Sequence, residues 1–240
     1  MRLDRALVER GLAESRARAQ ALVAAGTVTV DGRVAAKPAQ TVAPGAVLAL
    51  TADPCPWVSR GGLKLDHALR VFGLRPHGVA LDLGASTGGF TEVLLARGAA
   101  HVHAVDVGHG QLHRRLAGDP RVTLHEGLNA RTLAPGGPIP TVDWITADLS
   151  FVALAKALPA ALTLARTGAR LVALVKPQFE LEPSAIGKGG IVRDPAAHEE
   201  ACRRVAATLH GARWTPEAPI PSPIEGGDGN REFLIAARAP

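Results

Sequence analysis

The sequence predicts an α/β protein of two parts: a small α+β unit at the N-terminus and a larger Rossmann-like unit with helices on both faces of a mostly parallel sheet. Three observations predict it. Apolar, β-rich runs alternate with helix-patterned segments from about residue 63 onward, the signature of parallel strands joined by crossover helices. The first of these strands runs into a glycine-rich turn, Asp82 to Thr91. The first ~50 residues instead read as two short helices followed by a hairpin, too small for a large core of their own. A chain of 240 residues with 47% hydrophobic and 20% charged residues is long and apolar enough for such a core.

The elements follow in order. Asp4 can cap a helix over Arg5–Arg10 that stops at Gly11, and Ser15 can cap a second over Arg16–Ala25 that stops at Gly26. Thr27 to Val30 favours a strand, and Asp31-Gly32 is a strong hairpin turn before Arg33-Val34. Val47 to Leu50 completes the small sheet. Residues 1–52 are assigned to this unit. Asp53-Pro54-Cys55-Pro56-Trp57 opens a stiff linker over 53–62, with Trp57 placed to pack the two units together. In the second unit, 63–240, helices are expected at 65–72, 88–97, 111–116, 152–165 and 195–209. Strands are expected at 79–83, 101–105, 122–124, 142–147, 170–175 and 232–237. Sheets of this kind bind ligands outside the carboxyl ends of their strands.

Composition narrows the classes of function. Cys55 and Cys202 are too few and too far apart for a disulfide framework or a C-x-x-C metal site. The best apolar stretch, Leu158 to Val175, is broken by Arg166 and Arg170, so no membrane span is expected. The charged start Met1-Arg2-Leu3-Asp4-Arg5 lacks a signal peptide's apolar core, and the expected location is the cytoplasm. Lys and Arg total 27 against 22 Asp and Glu, a net charge of +5 that favours an acidic partner such as nucleic acid. His101 with His103, and His109 with His113, have ligand-like spacing but no cysteine or carboxylate cluster to complete a site. No metal is expected.

The glycine turn discriminates between cofactors. A dinucleotide fingerprint would need a second glycine where Ser86 stands, and a phosphate loop would need a lysine where Phe90 stands. Asp-x-Gly-x-x-x-Gly-Gly remains, which looks like the first motif of S-adenosylmethionine-dependent methyltransferases. That cofactor has no phosphate for a lysine to hold. Asp106 ends the second strand about 20 residues on, where a carboxylate can accept from both ribose hydroxyls.

Four residues point to the methyl acceptor. The fourth strand ends in Asp148-Leu149-Ser150-Phe151, without the Pro-Pro-aromatic sequence typical of amine methylation. The fifth ends in Lys176-Pro177-Gln178-Phe179-Glu180. Lys64 leads into the unit from Ser59-Arg60-Gly61-Gly62, and Glu232 opens the last strand. Lys64, Asp148, Lys176 and Glu232 look like the Lys-Asp-Lys-Glu tetrad of FtsJ-type RNA 2′-O-methyltransferases. A ribose hydroxyl must lose a proton as it attacks the methyl group. A lysine whose pKa is depressed by desolvation and a neighbouring cation can accept it, whereas arginine cannot. Lys176 is the expected base, with Lys64 holding the hydroxyl and the two carboxylates orienting the cations. Only five lysines occur in the chain, and two fall here.

Taken together, the chain resembles the TlyA-type (hemolysin A-like) ribosomal RNA 2′-O-methyltransferases. The carriers are Arg2-Leu3-Asp4, Ser15 to Gln20 and Gly26 to Gly32, which look like an S4 RNA-binding domain. To these add Trp57 to Lys64, Asp82 to Thr91, Lys176 to Glu180, Gly189 to Asp194, Ser222-Pro223-Ile224 and Gly229 to Phe233. The resemblance implies a seven-stranded sheet, S-adenosyl-L-methionine as donor, and a cytidine 2′-hydroxyl in ribosomal RNA, free or in a ribosomal subunit, as acceptor. It implies cofactor contacts from Asp82, Gly84, Ala85, Ser86, Gly88, Gly89, Phe90, Asp106, Val107, Asn129 and Asp148. It implies RNA contacts from Arg2, Arg5, Arg16, Arg18 and Arg60. Cys55-Pro56-Trp57-Val58 departs from the Arg-Ala-Trp-Val junction of the family. With 3% aromatic residues and no Tyr, phosphate and shape contacts are expected to dominate RNA binding. Two other readings stay open: a non-catalytic RNA-binding or ribosome-assembly factor on the same scaffold, and a membrane-lytic protein. The Glu180 to Gly190 segment is a candidate lid over the RNA.

Overall fold

Leu3, Ala6 and Leu7 recur at helical spacing and are fully buried on α1 (Leu3–Glu9), against Ala19, Leu22 and Val23 of α2 (Arg16–Ala24). The Ser15 side chain accepts from the Arg18 backbone N–H at 3.2 Å and so caps α2. A three-stranded antiparallel sheet follows, in the order β2 (Arg33–Val34), β1 (Val28–Val30), β3 (Leu48–Leu50). Asp31 and Gly32 between β1 and β2 have φ of 49° and 78°, the left-handed pair that a tight hairpin turn requires. The computed structural model describes residues 1–51 and 55–240. Asp53 and Pro54, expected to stiffen the linker, lie outside the described residues.

The chain divides into two compact units, Met1–Pro56 and Trp57–Pro240. Residues 57–62, expected in the linker, therefore belong with the second unit. Helix α3 starts at Arg60 and runs to Val71, five residues earlier than its glycines suggested. The reason is packing: a Cβ at Gly62 would lie 2.4 Å from the Trp57 ring, and one at Gly89 would lie 2.2 Å from Ser59 Oγ. Glycine's weak helix propensity yields to these close approaches. Trp57 is thus seated on the second unit's own helix, and the Val58 N–H donates to Glu92 Oε2 at 2.6 Å.

The second unit alternates as expected: β4 (Val79–Leu83), α4 (Gly89–Arg97), β5 (His101–Asp106), α5 (Arg114–Ala117), β6 (Val122–Glu126), β7 (Val142–Ala147), α6 (Leu154–Leu162), β8 (Ala165–Val175). There follow α7 (Pro177–Glu180), α8 (Pro195–Gly211), β9 (Thr215–Pro216), β10 (Ile220–Pro221) and β11 (Phe233–Arg238). The strand order is β10-β11-β8-β7-β4-β5-β6, with β9 beside β11. Strands β4 to β8 are mutually parallel, and β11 is antiparallel to β8. The sheet therefore has eight strands among the described residues, against the seven that the resemblance implies; the two-residue strands β9 and β10 add to the six placed from the sequence. Strand β8 begins at Ala165, where the sequence suggested the end of a helix.

One face of the sheet packs Leu81, Ile145 and Leu171 against α6 and α8. The other packs Ala80, Trp144 and Val172 against α3 and α4. Burial of each large aliphatic side chain contributes about 1.5–3 kcal/mol. The chain builds β5 and β6 on one side of β4 and returns to build β7 and β8 on the other. The reversal opens a crevice at the carboxyl ends of β4 and β7. No helix among the described residues is long and apolar enough to cross a membrane.

Candidate active site

The crevice holds a cavity of about 530 Å³. Gly84 forms its floor. Its φ of 77° lets the chain turn out of β4, and a Cβ there would lie 2.5 Å from the Asp148 carbonyl oxygen. Asp106, at the end of β5, accepts from the Ser86 N–H at 2.8 Å and from the Gly108 N–H at 2.7 Å, one on each carboxylate oxygen. A carboxylate has about four acceptor positions, so two stay open for a pair of vicinal hydroxyls. Val107, Asn129 and Asp148 also line the cavity, as does Ser86. The Asn129 side chain caps the short turn Ala130–Thr132, accepting from the Arg131 N–H at 3.0 Å. Leu128, Leu149 and Val152 give the cavity an apolar side, and Gln111 and Arg131 also line it; of these the sequence had named only Leu149, within a motif.

Five of the expected cofactor residues do not line the cavity. Asp82 is fully buried, and its oxygens accept from Thr91 Oγ1 at 2.7 Å and Thr146 Oγ1 at 2.9 Å. Burial pushes its carboxyl up to about 6 despite those hydroxyls. Asp82 pins β4 to β7 and α4. Ala85 and Phe90 are buried, Gly88 is pressed against Leu112 and Leu116, and Gly89 against Ser59. These four shape the turn from behind.

Beside the cavity lies a groove of about 460 Å³ that shares Ser150 and Phe151 with it and is lined by Lys176, Gln178, Phe179, Asp228 and Glu232. Register explains the meeting. Val175 pairs with Phe233 across β8 and β11, so Lys176, one residue past Val175, and Glu232, one before Phe233, come level. Ala147 pairs with Ala173, which sets Asp148 beside the same strand end. Lys176 Nζ lies 2.7 Å from Asp148 Oδ1 and donates to Ser150 Oγ at 2.9 Å. Lys64, only 8% exposed on α3, donates from Nζ to Glu232 Oε2 at 2.5 Å. Glu232 is raised by burial, a pull that Lys64 and, at longer range, Lys176 oppose. The two ion pairs thus share one electrostatic site. With Lys176 and Glu232 on the groove, Asp148 on the cavity and Lys64 buried against Glu232, the cluster can hold a hydroxyl group, take its proton and balance the charge that appears.

Phe151 went unremarked in the sequence except as part of a motif. It is 91% exposed, has φ of 64°, and stands 5.3 Å ring to ring from Phe179. An exposed aromatic in the left-handed region carries backbone strain of a kind that clusters at functional sites. Its only sequence signal is position, three residues beyond Asp148.

The arginines behave unevenly. Asp4 is completely buried and accepts from Arg2 at 2.9 and 3.1 Å, from Arg16 at 3.2 Å and from Gln20 at 3.2 Å. Arg2, ahead of its other partners and against the pull of burial, holds that carboxyl far below the usual range. Arg2 and Arg16 are thereby held side by side, each about half exposed. Arg5 is exposed. Arg18 donates to the Cys55 carbonyl at 2.6 Å and Arg60 to the Glu225 carbonyl at 2.7 Å, so both are partly committed within their own unit. The discounted histidines gain a third member. His103 Nδ1 is 3.0 Å from His125 Nε2, and burial, with His101 and His125 close by, lowers His103 to about 4. No group of three or more His, Cys, Asp or Glu among the described residues is arranged to hold a metal ion.

A nucleoside-sized cavity over a parallel sheet, a carboxylate at the second strand end and two lysine–carboxylate pairs beside it agree with a methyltransferase of the FtsJ-like class. The family model for FtsJ-like methyltransferases matches residues 57–239, and the chain belongs to that family; the S4 domain model matches residues 1–48. Within it, the chain is a TlyA-type member. It is 46% identical, over 99% of its length and 89% of the relative's, to the 16S/23S rRNA (cytidine-2′-O)-methyltransferase TlyA of Mycobacterium tuberculosis. It is 36% identical, over 98% of both chains, to Hemolysin A of Brachyspira hyodysenteriae. The solved structure of a protein called a putative hemolysin, from Streptococcus thermophilus, covers 100% of this chain and 88% of its own, with 39% identity and a TM-score of 0.76. An O-methyltransferase from Bacillus cereus in complex with SAH shares the fold at 18% identity, with a TM-score of 0.53 over 77% of this chain and 84% of its own.

Proposed function

We propose that the protein methylates the 2′-hydroxyl of a cytidine in ribosomal RNA, with S-adenosyl-L-methionine as donor. The observation that carries this reading is Lys176 Nζ, on the groove, held between Asp148 Oδ1 of the cavity at 2.7 Å and Ser150 Oγ, which lines both, at 2.9 Å. The cofactor supplies an electrophilic methyl group on its sulfonium. The residues of the cavity fit it: Asp106 has acceptor positions for its ribose, Leu128, Leu149 and Val152 offer an apolar wall for its base, and Gly84 lets it approach the backbone.

Lys176 is the base. It keeps an N–H for Ser150 Oγ and the Asp148 carboxylate at its side, and turns a lone pair to the hydroxyl proton. Lys64, fixed by Glu232, presents positive charge to the oxygen as its proton leaves. Phe151 offers a flat apolar face on which a base of the RNA can stack, and Arg2, Arg5 and Arg16 of the first unit serve the phosphate backbone. The name of the mycobacterial relative supports cytidine and the ribosomal source of the RNA.

Tritiated methyl transfer from S-adenosylmethionine to unmethylated ribosomal RNA tests the reading. The product is expected to resist alkaline hydrolysis at the methylated cytidine. Lys176→Ala is expected to lower the rate by about 10²–10⁴, the contribution of a positioned acid or base, while S-adenosylhomocysteine still binds. Wild-type turnover in that variant would remove Lys176 from the chemistry.

A further inference from the structure

Ser86 stands in the turn after β4 with φ of 48°, in the left-handed region although it is not a glycine. Backbone held this way costs free energy and persists only where the surroundings fix it. Two bonds fix Ser86. Its N–H donates to Asp106 Oδ2 at 2.8 Å, and its Oγ donates to Gln111 Oε1 at 3.0 Å. Asp106 ends β5, and Gln111 lies in the loop between β5 and α5. All three residues line the cavity, and the methyl-transfer chemistry above makes no use of Gln111.

The amide of Gln111 has one workable orientation. A Cβ at Gly108 would lie 2.0 Å from Gln111 Nε2 and 3.1 Å from Asp106 Oδ1, so the amide nitrogen and the carboxylate flank one point. Turned over, the amide would bring its oxygen towards a carboxylate, acceptor against acceptor. Its NH2 end therefore stays on the Asp106 side, where nothing among the described residues accepts from it. Gly108 has no left-handed φ to call for a glycine. The amide fills the space that a side chain on Gly108 would take. The cavity thus holds an oriented donor beside an oriented acceptor, each with a position to spare.

We infer that Gln111 is a second ribose contact: its NH2 donates to the oxygen of a cofactor hydroxyl whose hydrogen Asp106 accepts. The inference rests on the methyl-transfer reading and adds to it a residue that makes the cavity specific for an intact ribose. A hydroxyl group both donates and accepts. A carboxylate alone serves its hydrogen and leaves the oxygen lone pairs to water. An amide beside that carboxylate serves the oxygen as well. A sugar lacking this hydroxyl would leave both protein groups unpaired, and that is how a polar site rejects an analogue without the group it was built for. The bond from Ser86 to Oε1 holds the amide ready for this contact before the cofactor arrives.

Calorimetry on the full-length chain tests it with three probes: S-adenosylhomocysteine and its 2′-deoxy and 3′-deoxy analogues. Gln111→Leu is expected to weaken S-adenosylhomocysteine by about 3–10-fold, the worth of one hydrogen bond. Against one of the two analogues, the one lacking the shared hydroxyl, the wild type is expected to lose at least about tenfold. Gln111→Leu is expected to bind that analogue as well as the wild type does. A purely structural role for Gln111, through its bond to Ser86, would instead weaken all three probes by one factor. Should Gln111→Leu lower the thermal midpoint, Gly108→Ala displaces the amide while keeping Gln111 and is expected to give the same pattern. An equal loss on all three probes, or no loss on any, overturns the inference and leaves the methyl-transfer reading in place. Failure of the wild type to bind S-adenosylhomocysteine removes the cofactor from that reading, and this inference with it.

Discussion

Asp82 and Asp106 end neighbouring strands, and both were read from the sequence as cofactor contacts. The structure separates them. Asp106 opens onto the cavity, whereas Asp82 has lost water altogether and accepts from two threonine hydroxyls. Its titration has a consequence for stability. The folded carboxyl sits at about 6, above the ordinary 3.8. Below pH ~4 it is protonated in both states. As pH rises toward 6 the unfolded chain loses this proton first, so the folded state is penalised, on the order of 2–3 kcal/mol once the window is passed. Asp82→Asn keeps a neutral group there and escapes the penalty. Urea unfolding in steps from pH 4 to pH 6.5 should show the variant gaining on the wild type as pH rises; a constant difference would contradict the assignment. The distinction was not legible in the sequence, because Thr91 and Thr146 reach Asp82 only through strand register and helix packing. The meeting of Asp148, Lys176 and Glu232 was legible, since each stands at a strand end, whereas Lys64 sits in the second turn of α3, a helix the sequence started one residue after it. Gln111 and Phe151 were not legible, because their character comes from orientation and backbone angle.

At the scale of elements, the turn between β4 and α4 controls the cavity. Gly84 has both a left-handed φ and no room for a side chain, since a Cβ would strike the Asp148 carbonyl. Gly84→Ala is expected to cost about 2–4 kcal/mol of stability and to weaken S-adenosylhomocysteine binding at least about tenfold, a loss of 1.4 kcal/mol. Chemical denaturation and calorimetry measure the two, and unchanged affinity would show that the turn does not set the cavity floor. The alternation of strands and helices was readable because apolar runs and glycine stops mark each change of period. The failures are of three kinds. The two-residue strands β9 and β10 are too short to have a period. Helix α3 hid its first turn behind Gly61 and Gly62, which tertiary contact keeps helical. Helix α7 is a single turn, yet its Glu180 accepts from the Leu154 N–H at 2.8 Å and so caps α6 from across the chain.

For the whole molecule, the division of labour follows the charge. Arg2, Arg5 and Arg16 lie in the unit of Met1–Pro56, whereas the cavity and groove lie wholly within Trp57–Pro240. If the first unit meets phosphate through Arg2 and Arg16, replacing both with Ala removes up to two phosphate contacts from the full-length chain. The slope of log K against log salt for ribosomal RNA should then become shallower by about 1–2, with S-adenosylhomocysteine affinity unchanged; an identical slope would place the contacts elsewhere. The arginine-rich composition of this unit was plain in the sequence, but the pairing of two arginines by the buried Asp4 was not. Chain order carries a last consequence. Lys64 enters at the start of the second unit, and its partner Glu232 arrives 168 positions later. A frameshift or stop codon that spares everything through Lys176 still deletes that carboxylate and the strand pairing with β8. In a genetic screen, late lesions of this kind should score as full nulls, indistinguishable from early ones, and only missense alleles should give graded phenotypes.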